Sequence, residues 1–184
     1  KIAYSHRRRY LLGRETHGLM NYPFRTALLA WLDGGDAADF RHAMECIREN
    51  YPPAAFYGAM NFLGTHDTAR ILTLLGAEQV PEQKTERAAY RLSPQELDRG
   101  RRRLRLAGML LYCFPGSPTL YYGDEAGMQG FEDPLNRRTY PWGGEDAVLL
   151  DFFRQLGRLR TERPSLRRGE IRYLYARGGG LVLE

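Results

Sequence analysis

Cysteine is scarce in this chain: Cys46 and Cys113 are the only two among 184 residues. Both fall in apolar, helix-like surroundings, and their number and spacing suit neither a disulfide framework nor a zinc site. They are expected as buried free thiols. Long apolar runs are missing too, since no stretch approaches the roughly 20 apolar residues of a membrane-spanning helix. The opening KIAYSHRRRYLLG has neither the apolar core nor the small-residue cleavage site of a secretory leader. Without a membrane span or leader the chain is expected to be soluble and cytoplasmic, and because it starts at Lys1 rather than Met it is expected to be a segment of something longer. Internal repeats and low-complexity tracts are absent, and 43% hydrophobic with 12% aromatic residues is too apolar for a disordered protein. The length allows one domain with a sizeable core, or one large piece of a bigger fold.

The charge is one-sided, with a formal net charge of +5 and a pI near 9.4. Arginine supplies nearly all of the basic residues, gathered in SHRRRY, RGRRRLRL and RPSLRR. These clusters lack the aromatic interleaving or zinc-finger spacing of a nucleic-acid module. In LDRGRRRLRLAGMLLY the arginines lead into an apolar helical pattern, as a solvated helix face does. Neither nucleic acid nor membrane is expected as a partner.

Along the chain, THGLMNYPF ends in a turn and RTALLAWL begins a helical pattern, broken by DGGDA. The pattern resumes with Phe40, Met44 and Ile47 at helical spacing and stops at Pro52 and Pro53. AMNFLGTHD reads as a short buried strand with its loop. TARILTLLG reads as a helix with Thr68 as cap and Gly76 as terminator. A long helix starts at Ser93, Pro94 and Glu96, a capping-box pattern, with Gly100 and Gly108 as its weak points. SPTLYYGDEAG is a further strand and loop, residues 147–162 an amphipathic helix, and IRYLYARGGGLVLE two strands joined at RGGG. Strand alternating with helix is the grammar of a parallel α/β fold, in which chemistry gathers in the loops after the strands.

Polar groups do gather there: Asn21 and Tyr22 after the first strand, then His66, Asp67 and Arg70, then Tyr121, Tyr122, Asp124 and Glu125. The loop FEDPLNRRTYPW adds Asp133, Arg137, Arg138 and Trp142. Carboxylates, an imidazole, guanidinium groups and rings suit a carbohydrate, whose hydroxyls need polar partners and whose C–H faces stack on rings. Each has a plainer reading. His66-Asp67 serves equally as a cap or a surface pair, Asp124-Glu125 as a helix cap, the tyrosines as packing and Arg137-Arg138 as a solvated turn.

Three stretches narrow the choice. MNFLGTHDTARIL, PGSPTLYYGDEAGMQG and EDPLNRRTYPW, in this order, closely resemble the C-terminal part of the catalytic domain of glycoside hydrolase family 13, the α-amylase family. Their combination is most similar to the neopullulanase, cyclomaltodextrinase and maltogenic amylase branch, and GLMNYPF agrees with it. The resemblance implies a retaining α-glucan hydrolase acting on cyclodextrins, pullulan or maltooligosaccharides. It implies about the last three strand-helix units of a TIM (β/α)8 barrel over residues 1–168, with the start of a β-rich C-terminal domain at 169–184. Asp67 then stands as the third catalytic carboxylate. His66, Asp133 and Arg137 stand as substrate-binding residues, His66 on the sugar beside the scissile bond and the other two on the next sugar.

The same resemblance says what to look for elsewhere. Family members use an Asp nucleophile and a Glu acid/base on earlier strands, and nothing before Asp67 resembles either; Glu15 and Glu45 have the wrong surroundings. The expectation is a stretch inactive alone, whose partners are its α-glucan substrate and the remainder of its own barrel. A homodimer is expected only of a full-length protein, through an N-terminal domain. No cofactor and no metal are expected, because the family's calcium sites involve other regions. Thr65 and Ala69 depart from the usual Ser or Asn and Pro of the motif. A non-catalytic carbohydrate-binding or structural relative stays open as the alternative.

Overall fold

The computed structural model describes residues 4–184. Its elements are, in order, α1 (Tyr4–Tyr10), α2 (Tyr22–Leu32), α3 (Ala37–Asn50), α4 (Pro53–Tyr57), β1 (Met60–Phe62), α5 (Ile71–Gly76), α6 (Lys84–Ala89), α7 (Pro94–Cys113), β2 (Ser117–Thr119), α8 (Ala147–Glu162), α9 (Pro164–Arg168), β3 (Tyr173–Arg177) and β4 (Gly180–Leu183). A 3-10 turn, Leu135–Arg137, lies between β2 and α8. Two compact units are formed: Lys1–Phe62 with Leu111–Thr119 and Arg160–Glu184, and Leu63–Leu110 with Leu120–Leu159.

In the first unit β1 and β2 pair in parallel, Met60 opposite Ser117 and Phe62 opposite Thr119. The strand expected before Asn21 shrinks to a single parallel bridge between Met20 and Met60. The cause is Asn21 itself, which turns the chain at once into α2 by accepting the Phe24 N–H at 3.1 Å. Its amide also donates to Asn61 Oδ1 at 2.8 Å, so Asn21, read from sequence among the site's polar groups, is a buried cap and strand tie. The predicted face of α3 is as expected, with Phe40, Met44 and Ile47 buried. Phe40 and Phe24 both meet Phe114, ring centroids 5.7 and 5.5 Å away. At the end of α7, where helix carbonyls lack intrahelical donors, Arg160 donates to the carbonyls of Tyr112, Phe114 and Gly116.

The C-terminal tail forms the expected hairpin, β3 antiparallel to β4. It is fastened to the start of α3. Asp36 Oδ1 accepts the Ala38 N–H as helix cap and the Gly178 N–H of the hairpin turn, both at 2.8 Å. The Ala37 N–H and the Trp31 indole donate to the Gly178 carbonyl in return. Cys46 and Cys113 are free but half-buried rather than buried; burial still pushes the Cys113 thiol up.

In the second unit the capping box at the start of α7 forms as read: Ser93 N–H donates to Glu96 Oε2 at 2.8 Å and Glu96 N–H to Ser93 Oγ at 3.3 Å. The Tyr90 hydroxyl and the Glu78 N–H converge on the other carboxylate oxygen, and this donor set, Tyr90 first, holds the Glu96 carboxyl down at about 2. Gly100 weakens α7 as a helix former by roughly 1 kcal/mol relative to Ala, and packing explains it. A Cβ there would lie 3.1 Å from the Gly76 Cα, where α5 and α7 touch backbone to backbone. Leu104 and Ala107 of α7 and Leu149, Phe153 and Leu156 of α8 are buried. The arginine-rich face of α7 is only partly a solvated stripe. Arg101 pairs with Asp146 at 2.6 Å and Arg105 lies over the Phe152 ring. Among the described residues no helix is long and apolar enough to cross a membrane.

Candidate active site

The second unit holds the loop that follows β1. Thr68 does not cap a helix, as its sequence position implies; α5 starts at Ile71. Thr68 instead closes a tight turn, its hydroxyl accepting the Thr65 N–H at 3.0 Å while Thr65 Oγ1 accepts the Asp67 N–H at 3.2 Å. Two hydroxyls thus satisfy the loop backbone, as such side chains do in turns, and His66 and Asp67 project at its tip.

Beneath the tip sits Arg70, fully buried. Its guanidinium donates to the Tyr122 carbonyl, to Asp124 Oδ1 at 3.2 Å and, through Nε, to the Asn136 carbonyl at 2.7 Å. It lies 4.3 and 4.5 Å from the centroids of Tyr121 and Tyr122, a fit for a planar cation on aromatic faces. A charge buried this deeply requires pairing and hydrogen bonds. The glycine of the GTHD stretch follows from the same arrangement, because a Cβ on Gly64 would stand 2.8 Å from Asp124 Oδ2.

Asn136, also fully buried, carries the link back to the tip: its amide donates to the His66 and Thr68 carbonyls, each at 2.8 Å. The next residue, Arg137, donates to the His66 carbonyl at 3.2 Å. Its guanidinium pairs with Asp133 Oδ1 at 2.7 Å and reaches Asp67 Oδ1 at 3.9 Å. His66 Nε2 stands 3.2 Å from the same Asp67 oxygen. All four residues picked from the sequence, His66, Asp67, Asp133 and Arg137, therefore lie in one row. Two loops some 66 positions apart supply them. Asp67 and His66 are about 60% exposed, so these contacts are solvent-screened and contribute only about 0–1 kcal/mol each to stability.

Around the row, the Tyr122 hydroxyl donates to the Arg138 carbonyl at 2.8 Å. Burial and the neighbouring Tyr122 hydroxyl push the Tyr121 phenol up. Trp142 is 85% exposed with its ring 4.5 Å from that of Tyr140. Beside Asp133 a cavity of about 310 Å³ is lined by Lys84, Arg87, Glu132, Pro134 and Leu135. Among the described residues no three His, Cys, Asp or Glu side chains come together as a metal site. Sequence reading gave no weight to Asn136, whose partners are 68 and 70 positions away and leave no local pattern.

Compared with known proteins, residues 3–163 match the family model of the α-amylase catalytic domain. The chain belongs to the α-amylase family. An amylopullulanase of Thermoanaerobacter thermohydrosulfuricus is 41% identical over 180 residues, which is 91% of this chain and 12% of that protein. Neopullulanase 2 of Thermoactinomyces vulgaris is 32% identical over 171 residues, 91% of this chain and 26% of the relative. With a cyclomaltodextrinase also among the relatives, the chain falls in the neopullulanase-like branch of the α-amylase family. Of solved structures, the Nostoc punctiforme debranching enzyme superposes with a TM-score of 0.78 at 28% identity, over 96% of this chain and 36% of that one. The α-amylase of Geobacillus thermoleovorans, complexed with acarbose, gives 0.75 at 28% over 98% and 36%. The chain thus spans about 9–37% of the lengths of the proteins it matches, and its α/β architecture is consistent with part of the α-amylase barrel.

Proposed function

We propose that the chain is the C-terminal part of the TIM barrel of a retaining α-glucan hydrolase, about its last three strand-helix units. Residues 1–168 belong to that barrel, and 169–184 begin the β-rich domain after it. Its substrates are cyclodextrins, pullulan or maltooligosaccharides, a reading supported by its likeness to an amylopullulanase, a neopullulanase and a cyclomaltodextrinase. The observation that carries this reading is the row His66–Asp67–Arg137–Asp133, assembled from two loops and left open to solvent.

Each group has a role set by its chemistry. The Asp67 carboxylate accepts hydrogen bonds from hydroxyls of the sugar at the scissile bond. Those bonds tighten as the ring flattens toward an oxocarbenium ion, so a carboxylate that never attacks carbon still lowers the barrier. His66 donates to the same sugar. Arg137 and Asp133 offer a fixed donor-acceptor pair to the next sugar, and the cavity beside Asp133 gives the glucan room beyond it. Nucleophile and acid/base come from the rest of the barrel, so these 184 residues do not turn over alone. No cofactor enters the reaction.

The test is to read the coding sequence upstream of Lys1 and to assay the parent chain on pullulan and cyclodextrins. An Arg-x-Asp motif, a Glu at a strand end shortly before Lys1 and turnover by the parent are the expected result. A parent lacking those carboxylates, or one that binds glucans without cleaving them, would replace this reading with that of a non-catalytic relative.

A further inference from the structure

The Asn136 amide is placed where a loop-fastening group gains most control over Asp67. Its Nδ2 donates at 2.8 Å to the carbonyl of the residue before Asp67 and at 2.8 Å to that of the residue after it. Arg137 Nε adds a third donor to the first of these carbonyls. Asn136 is itself fixed: its backbone carbonyl accepts from Arg70, which is held by Asp124 and by the Tyr122 carbonyl. The Asp67 side chain, by contrast, is 60% exposed, with His66 at 3.2 Å and Arg137 at 3.9 Å as neighbours. A carboxylate so lightly held at its tip takes its direction from its backbone.

Asn136 is fully buried, and its Oδ1 has no hydrogen-bond partner among the described residues, so the amide acts on the loop through its Nδ2 alone. What the amide does supply is two donors in one rigid plane, matched to two carbonyls that bracket a single residue.

The geometry points to Asn136 as a positioning residue for Asp67, a clamp that fixes the flanking peptides so that the carboxylate meets the sugar in one orientation without Asn136 touching it. This rests on the functional reading above. Misplacing a reacting group by about 1 Å can slow a reaction on the order of a hundredfold. The clamp therefore acts on kcat and leaves ground-state binding nearly alone.

A double-mutant cycle in the full-length parent separates positioning from simple structural support. Asn136→Ala should lower kcat about ten- to a hundredfold with KM changed less than about threefold. In an Asp67→Asn background the same substitution should lower kcat less than about threefold further, while the fall in melting temperature is equal in both backgrounds. Asn136→Asp, of the same size but without the paired donors, should reproduce the kcat loss if the Ala variant is too unstable to assay. Equal kcat losses in both backgrounds would overturn the clamp and leave the functional reading standing. Full activity of Asp67→Asn would overturn both. Two Asn136 variants that are unfolded throughout would also overturn it, because the residue would then be a folding determinant.

Discussion

Removing the Arg70 guanidinium probes the foundation of the site. Arg70 is fully buried, Asp124 is 1% exposed, and their contact at 3.2 Å lies under two aromatic rings. Taking one partner from a buried ion pair costs about 3–5 kcal/mol, most of it from the charge left behind. The carbonyls of Tyr122 and Asn136 lose their donors in the same step. Arg70→Met should therefore lower the unfolding free energy by about 3–5 kcal/mol, and the melting temperature with it. Arg70→Lys keeps the charge but not the planar fork and should fall between. The decisive variant is Arg70→Met with Asp124→Leu, in which no charge remains. Because an apolar replacement of a buried pair is often near neutral, the double variant should regain most of the loss. Calorimetric and urea-unfolding scans of the parent protein read these differences. An Arg70→Met variant within about 1 kcal/mol of wild type, or a double variant less stable than either single one, would refute the argument.

Two further outcomes follow. Arg137→Ala removes the donor facing Asp133 and Asp67 and should raise KM for longer maltooligosaccharides more than it lowers kcat; steady-state kinetics across a chain-length series would expose an unchanged KM. Glu96 is held at about 2, chiefly by the Tyr90 hydroxyl. A depressed carboxyl stabilises the fold above its unfolded pKa, near 4.5, and that stability is lost as pH falls toward 2. Tyr90→Phe should therefore flatten the decline between pH 5 and pH 2.5, read as urea midpoints, whereas a parallel decline would remove Tyr90 as the cause.

Local signals carried the sequence reading where the physics is local. The Ser93–Glu96 box, the 147–162 helix and the tail hairpin each depend on residues a few positions apart, and each forms as expected. Where distant residues decide, the sequence misleads. Thr68 carries a cap's signature but answers to Thr65 and Asn136, so α5 begins three residues later. Asn21 stands at the end of an apparent strand, yet its tie to Asn61 makes it a buried structural residue. Arg70 reads as one polar group among several because arginine is seldom fully buried; only the fold supplies the two rings, the carboxylate and the carbonyls that hold it there. Of the site, residue identities and motif order were legible. The row they form was not, since it depends on the 3-10 turn at Leu135–Arg137 bringing Arg137 to the His66 carbonyl.

The most direct test of the account is the turnover number of Asp67→Asn in the full-length protein on pullulan or a cyclodextrin. The substitution keeps the side chain's size and removes its charge. A loss of about 3–5 kcal/mol of transition-state stabilisation is expected, roughly 2.2 to 3.7 orders of magnitude in kcat, with KM little moved. A variant within about tenfold of wild type would contradict it.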